Sequence, residues 1–193
     1  MRRMLTAGFV VAALTAAGDV AAQSVSLACV PQRPRESLAN RRSTYDSVAI
    51  NVAGKRALLC YGRPRANGRE IFGGLVKYGQ LWRTGADEPT TLHIAFPATI
   101  AGVRVGPGSY SIYTVPGETE WEVVVNKSTS HWGHESSYAG VKDQEVGRGK
   151  VKSETLSDAV DQFTIRATPA GASTNLVLEW EKTRVRIPIV PVS

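Results

Sequence analysis

The sequence predicts an all-β protein: an antiparallel β-sandwich, or a flattened barrel, of about nine or ten short strands with minimal helix. Three observations predict it. Apolar and polar residues alternate in run after run, as where Leu92, Ile94 and Phe96 share one face and Thr91, His93 and Ala95 the other. Turn signals such as Gly106-Pro107-Gly108 and Pro116-Gly117 separate these runs at short intervals. Helical periodicity is nearly absent. Only Phe72–Tyr78, weakened by its glycines, and a short turn at Glu154–Ala159 are candidates.

The strands follow in order. Thr44–Val52 and Arg56–Tyr61 each alternate, with a turn at Gly54-Lys55. Thr91–Phe96 is the next strand, ended by Pro97. Ile100–Val105 is another, broken by Gly102. Ser109–Val115 and Trp121–Asn126 follow, and the three consecutive valines of the latter predict a strand covered on both faces. Ser128–Gly140 reads as a long polar loop. Gly147–Lys152 and Gln162–Thr168 read as strands on either side of the short helical turn. At the C-terminus a hairpin about Lys182-Thr183 would set Trp180 opposite Val185 and Leu178 opposite Ile187. The same register pairs Glu181 with Arg184 and Glu179 with Arg186, a mildly stabilising arrangement.

The N-terminus is expected to lie outside this fold. A basic start at Arg2-Arg3, the apolar run Leu5–Ala17 and small residues at Ala21-Ala22 have the layout of a secretory signal peptide cleaved after Ala22. The run is shorter than the ~20 residues that span a bilayer. Later segments are no more apolar, so an exported, soluble chain is expected, periplasmic or extracellular. Residues 23–43, with Pro31, Pro34, Arg33, Arg35, Arg41 and Arg42, read as a solvated, flexible arm, and 44–193 as one β-domain. The net charge of +6 is spread along the chain, which does not point to a nucleic-acid partner. Cys29 and Cys60 are the two cysteines, and export makes a disulfide between them the expectation. It would tie the arm to the first strands.

The segment from Arg63 to Thr91 stands apart, rich in glycine and arginine where the rest is plain alternation. It contains neither the Walker pattern nor Gly-x-Gly-x-x-Gly, which argues against a phosphate loop. Arg83 lies close in sequence to Asp87 and Glu88. Together they would form an ion-pair network that either orients a ligand or pins a long connection. The candidate binding residues are Arg69, Trp82, Arg83, Thr84, Asp87 and Glu88. A non-catalytic module for a polar envelope ligand, a glycan or a protein partner, is the leading reading, with no cofactor. The alternatives are an extracytoplasmic hydrolase using Glu88 or Asp87 with Arg83 as electrostatic partner, and a metal site at His131 and His134 in HWGH. His93 reads as a half-exposed sheet residue. Trp121 and Trp180 read as core, Trp82 as an end plug, and Trp132 as the better exposed ligand candidate.

Four ordered stretches carry a resemblance: GREIFGGLVKYGQLWRTGADEPT, GPGSYSIYTVPGETEWEVVVNK, HWG and LVLEWEKTRVRIPI. From about Tyr61 to Val190 the chain resembles the bacterial secreted proteins of domain of unknown function 2911. That resemblance implies an exported or envelope-associated β-domain and no established activity, substrate or cofactor. The matching positions are Arg69, Phe72, Gly73, Tyr78, Gly79, Trp82, Arg83, Thr84, Gly85, Ala86, Asp87 and Glu88. Asn is expected as often as Asp at position 87. His93 and His134 are not features of the resemblance, and Cys29 lies outside it.

Overall fold

A computed structural model describes residues 24–32 and 40–192. The signal-peptide expectation for 1–22 and the arginines at 33 and 35 lie outside the described residues. Alternation sets the strands. In β1 (Thr44–Val52) and β2 (Lys55–Arg63), Ile50, Val52, Leu59 and Tyr61 turn inward. Ala53 and Gly54, both at positive φ (49° and 82°), make the tight turn between them. The chain then leaves the sheet and returns as β3 (Thr90–Ile94). The expected single strand at 100–105 is instead a small hairpin, β4 (Ala98–Ile100) and β5 (Val103–Val105), turned at Ala101-Gly102. Ala101 at φ 48° and Gly102 at φ 85° explain why the chain reverses there. β6 (Gly108–Val115) and β7 (Glu120–Asn126) follow.

Two expectations fail in the last third. The helical turn at Glu154–Ala159 does not form, because those residues belong to one long strand, β8 (Glu145–Ala170). The Lys182-Thr183 hairpin does not form either: β9 (Ser173–Pro191) runs straight through it and pairs along β8, turning back at Gly171-Ala172. The expected charge pairs are met differently. Glu179 is bridged by Arg166 and Arg184, and Arg186 by Glu154. The register of β8 on β9 shifts between Thr155 and Thr164, beside Glu181, whose φ of 50° marks the irregularity. Phe72–Tyr78 is not helical but a chain of turns, and the helix present among the described residues is a 3-10 segment, Glu135–Gln144.

The strands form one antiparallel sheet in the order β1-β2-β3-β6-β7-β8-β9-β4-β5, not closed into a barrel. β8 belongs to both halves: its first part pairs with β7, its second with β9. The sheet thereby folds over a shared apolar core, giving a sandwich-like arrangement. Tyr61 Oη accepts from the Ile165 N–H (2.9 Å) and Thr174 Oγ1 donates to the Asn51 carbonyl (2.7 Å), tying the halves together. Val123 and Val125 face this core, while Val124 packs with Tyr113 and Tyr138 on the outer face, so β7 is covered on both sides.

Candidate functional site

The irregular segment between β2 and β3 builds the site. Pro64 to Ala66 first follows β8: the Ala66 N–H donates to the Asp161 carbonyl (2.7 Å) and the Phe163 N–H to the Pro64 carbonyl (2.9 Å). Turns through Gly73 and Gly79 bring Ile71, Phe72, Val76 and Trp82 inward. Phe72 sits 4.8 Å from the Trp121 ring, and Trp82 stacks on Trp180 at 5.7 Å. This aromatic cluster closes the end of the core, so Trp82 is the end plug that the sequence predicts. Trp82 also exchanges both backbone hydrogen bonds with Thr114 of β6 (2.7 and 2.9 Å), which fixes the start of the WRTGADE turn.

That turn is held by backbone approach. A Cβ on Gly62 would lie 2.0 Å from the Ala86 carbonyl oxygen, and one on Gly133 would lie 2.5 Å from that of Asp87. Only glycine permits either contact. Thr84 and Asp87 adopt left-handed φ values of 56° and 65°. Thr84 is fully buried: its Oγ1 meets Thr114 Oγ1 at 3.0 Å and its carbonyl accepts from Thr90 Oγ1 at 2.7 Å.

The expected Arg83–Asp87–Glu88 network is not present. Arg83 instead grips Glu135 from the start of the 3-10 segment, through Nε (3.0 Å), Nη2 (2.7 Å) and its own N–H (3.1 Å). Burial alone would raise the Glu135 carboxyl, but these hydrogen bonds outweigh it and hold the group below the ordinary carboxylate range. Glu88 faces the other way and is 2 % exposed. It receives Arg41 through both Nη1 and Nη2 (the latter at 2.6 Å to Oε1) and the Gln32 N–H at 3.2 Å. Arg41 is therefore not the solvated arm residue that the sequence suggests: its side chain is 8 % exposed. The same arm is joined to β2 by the Cys29–Cys60 disulfide.

Beside the Arg83–Glu135 pair and the aromatic plug lies an open cleft of about 660 Å³. Of the candidate residues, Arg69, Trp82, Arg83 and Asp87 line it, whereas Thr84 and Glu88 do not. A hydrolytic centre built on Glu88 lacks its geometry, because both oxygens are engaged beneath the arm. The sequence reading did not single out Arg42, Arg65 or Lys77, which also line the cleft. The signal for the last two was the basic character of the segment itself. Five cations (Arg42, Arg65, Arg69, Lys77, Arg83) thus face two carboxylates, Asp87 and Glu135. Leu75, Val76 and Leu81 supply apolar lining.

The histidines have other partners. Tyr113 Oη donates to the Gly133 carbonyl (3.2 Å), so it accepts from His131 Nε2–H (2.8 Å), which leaves His131 Nδ1 to accept from Ser128 Oγ (3.0 Å). His134 caps the 3-10 segment, its Nδ1 accepting from the Ser136 N–H at 3.2 Å. Among the described residues no group of three or more His, Cys, Asp or Glu side chains could hold a metal ion. His93 is buried rather than half-exposed, its Nδ1 2.7 Å from Ser109 Oγ. Trp132 is half-buried in the neighbouring loop and is not part of the cleft lining.

A protein-family model described as "Protein of unknown function (DUF2911)" matches residues 43–189. No curated protein and no solved structure matches the chain. Arg41, Gln32 and Cys29 precede the matched region, while Glu88 and Cys60 lie within it.

Proposed function

The chain belongs to the DUF2911 family, and from that premise we propose that it is an exported, non-catalytic binding module. It takes a polar envelope ligand, a glycan or a partner protein, in the cleft beside Arg69, Trp82, Arg83 and Asp87. The observation that carries this reading is the cleft itself: about 660 Å³ of open space beside the WRTGADE turn, within the usual size of ligand sites of about 300–1,000 Å³. Arg83 and Glu88 are paired with Glu135 and Arg41, while Asp87 of the turn and Arg69 of the preceding segment line the cleft. Of the groups the hydrolase alternative needs, Glu88 is held by Arg41 and Arg83 by Glu135, which favours binding over catalysis, while Asp87, its other carboxylate, lines the cleft. The disulfide supports an oxidising compartment. Among the described residues no helix is long and apolar enough to cross a membrane.

The test is a thermal-shift screen of polar glycans and envelope peptides on the wild type and on Gln80→Trp, which fills the cleft from its exposed rim. The expected result is a ligand that raises Tm in the wild type and not in the variant. A ligand that stabilises both equally would place binding elsewhere.

A further inference from the structure

We propose that the cleft is an oxyanion site, and that the ligand carries a phosphate or carboxylate group received by Arg69 and Lys77. The proposal rests on the reading of the cleft as a binding site and names the ligand chemistry. Sequence motifs argue against a phosphate loop, and none is present. The cations come together instead from separate parts of the chain.

Four of the five fall into two classes, and the fifth, Arg42, is exposed. Arg65 and Arg83 are compensated within the protein, by Asp161 (2.8 Å) and Glu135 (2.7 Å). Arg69 and Lys77 are held by backbone carbonyls: Arg69 Nε donates to Ala66 (2.9 Å) and Nη2 to Arg65 (2.7 Å), while Lys77 Nζ donates to Gly73 (3.1 Å). A carbonyl orients a cation but does not neutralise it. Among the described residues no carboxylate lies within ion-pair distance of Arg69 or Lys77, and Arg69 Nη1 has no acceptor. Guanidinium and ammonium groups that are positioned and uncompensated are what an oxyanion requires. Leu75 and Leu81 give the same cleft an apolar side for the rest of the ligand. The cleft's volume suits a small molecule or one unit of a larger one rather than an extended polyanion.

The experiment titrates the full chain with glucose 6-phosphate, glucuronate, inorganic phosphate and glucose by calorimetry, at low and at moderate salt. The two anionic sugars distinguish a phosphate from a carboxylate source. At least one anion should bind more tightly than glucose, and more weakly as salt rises. The double variant Arg69→Gln, Lys77→Gln should weaken that binding about tenfold or more, as expected for charge-assisted hydrogen bonds. Arg104→Gln, which removes a cation exposed on β5 outside the cleft, should bind as the wild type does. Tm without ligand confirms that each variant is folded. The proposal is overturned if no anion binds, if glucose binds as tightly, or if the folded double variant keeps full affinity. Glucose binding that Gln80→Trp abolishes would overturn the oxyanion assignment and leave the cleft reading standing. If Gln80→Trp changes the binding of no probe, charged or neutral, both readings fall.

Discussion

At the scale of single residues, the WRTGADE turn is defined by backbone conformation as much as by charge. Asp87 sits at φ 65°, a left-handed value that Asn and Asp tolerate better than other side chains. This gives a physical account of why Asn is expected there as often as Asp. Asp87→Asn should therefore leave Tm unchanged, whereas Asp87→Val should destabilise by about 1–2 kcal/mol through backbone strain alone. Thermal denaturation of the two variants checks it, and equal losses would contradict it. The identities of the motif residues were legible in the sequence, but their partners were not. Arg83 lies beside Asp87 and Glu88 in sequence yet binds Glu135, because the 3-10 segment folds back over the turn. Glu88 is reached by Arg41 from the other side. In irregular segments, proximity along the chain does not determine which charges meet.

At the scale of elements, the arm is a strap. Its described parts are fastened to the domain at Cys29, Gln32 and Arg41. Removing Arg41 would leave the Glu88 carboxylate buried without its cation, so Arg41→Ala should cost about 3 kcal/mol. Breaking the disulfide as Cys29→Ser should cost about 3–4 kcal/mol by the chain-entropy argument. Both act on one strap, so the double variant should lose less than the sum. Urea denaturation of the four proteins measures this, and strict additivity would mean that the two fastenings are independent. The early strands were legible because each has one buried and one polar face. β8 was not: from Glu154 to Asp161 no residue is buried, and the register slips against β9. Apolar alternation fades where a strand passes between the two halves of a sheet. The charge pattern that suggested a Lys182-Thr183 hairpin is real, but it is satisfied by β8 lying alongside.

For the whole molecule, acid should act in two stages. Burial lowers His131 and His93 below 6.5, so the fold favours their neutral forms. Their contribution is fully present above pH 6.5 and is lost as pH falls through the lowered folded values. Glu135, Glu145 and Glu179 are held below 4.5 by arginine hydrogen bonds; their contribution is present above pH 4.5 and lost on further acidification. Tm followed against pH should fall gently below 6.5 and more steeply below 4.5, and a flat profile across both windows would contradict this. The antiparallel all-β architecture was legible from alternation and turn spacing. The cleft was not, because its lining comes from the arm, from separate turns of one irregular segment and from the 3-10 segment. The most direct measurement of the central claim is a backbone-amide NMR titration with the ligand that gives the largest thermal shift. Perturbations should centre on residues 65–69, 75–87 and 134–135. A response centred on another surface, with those amides unmoved, would contradict the assignment of the cleft as the binding site.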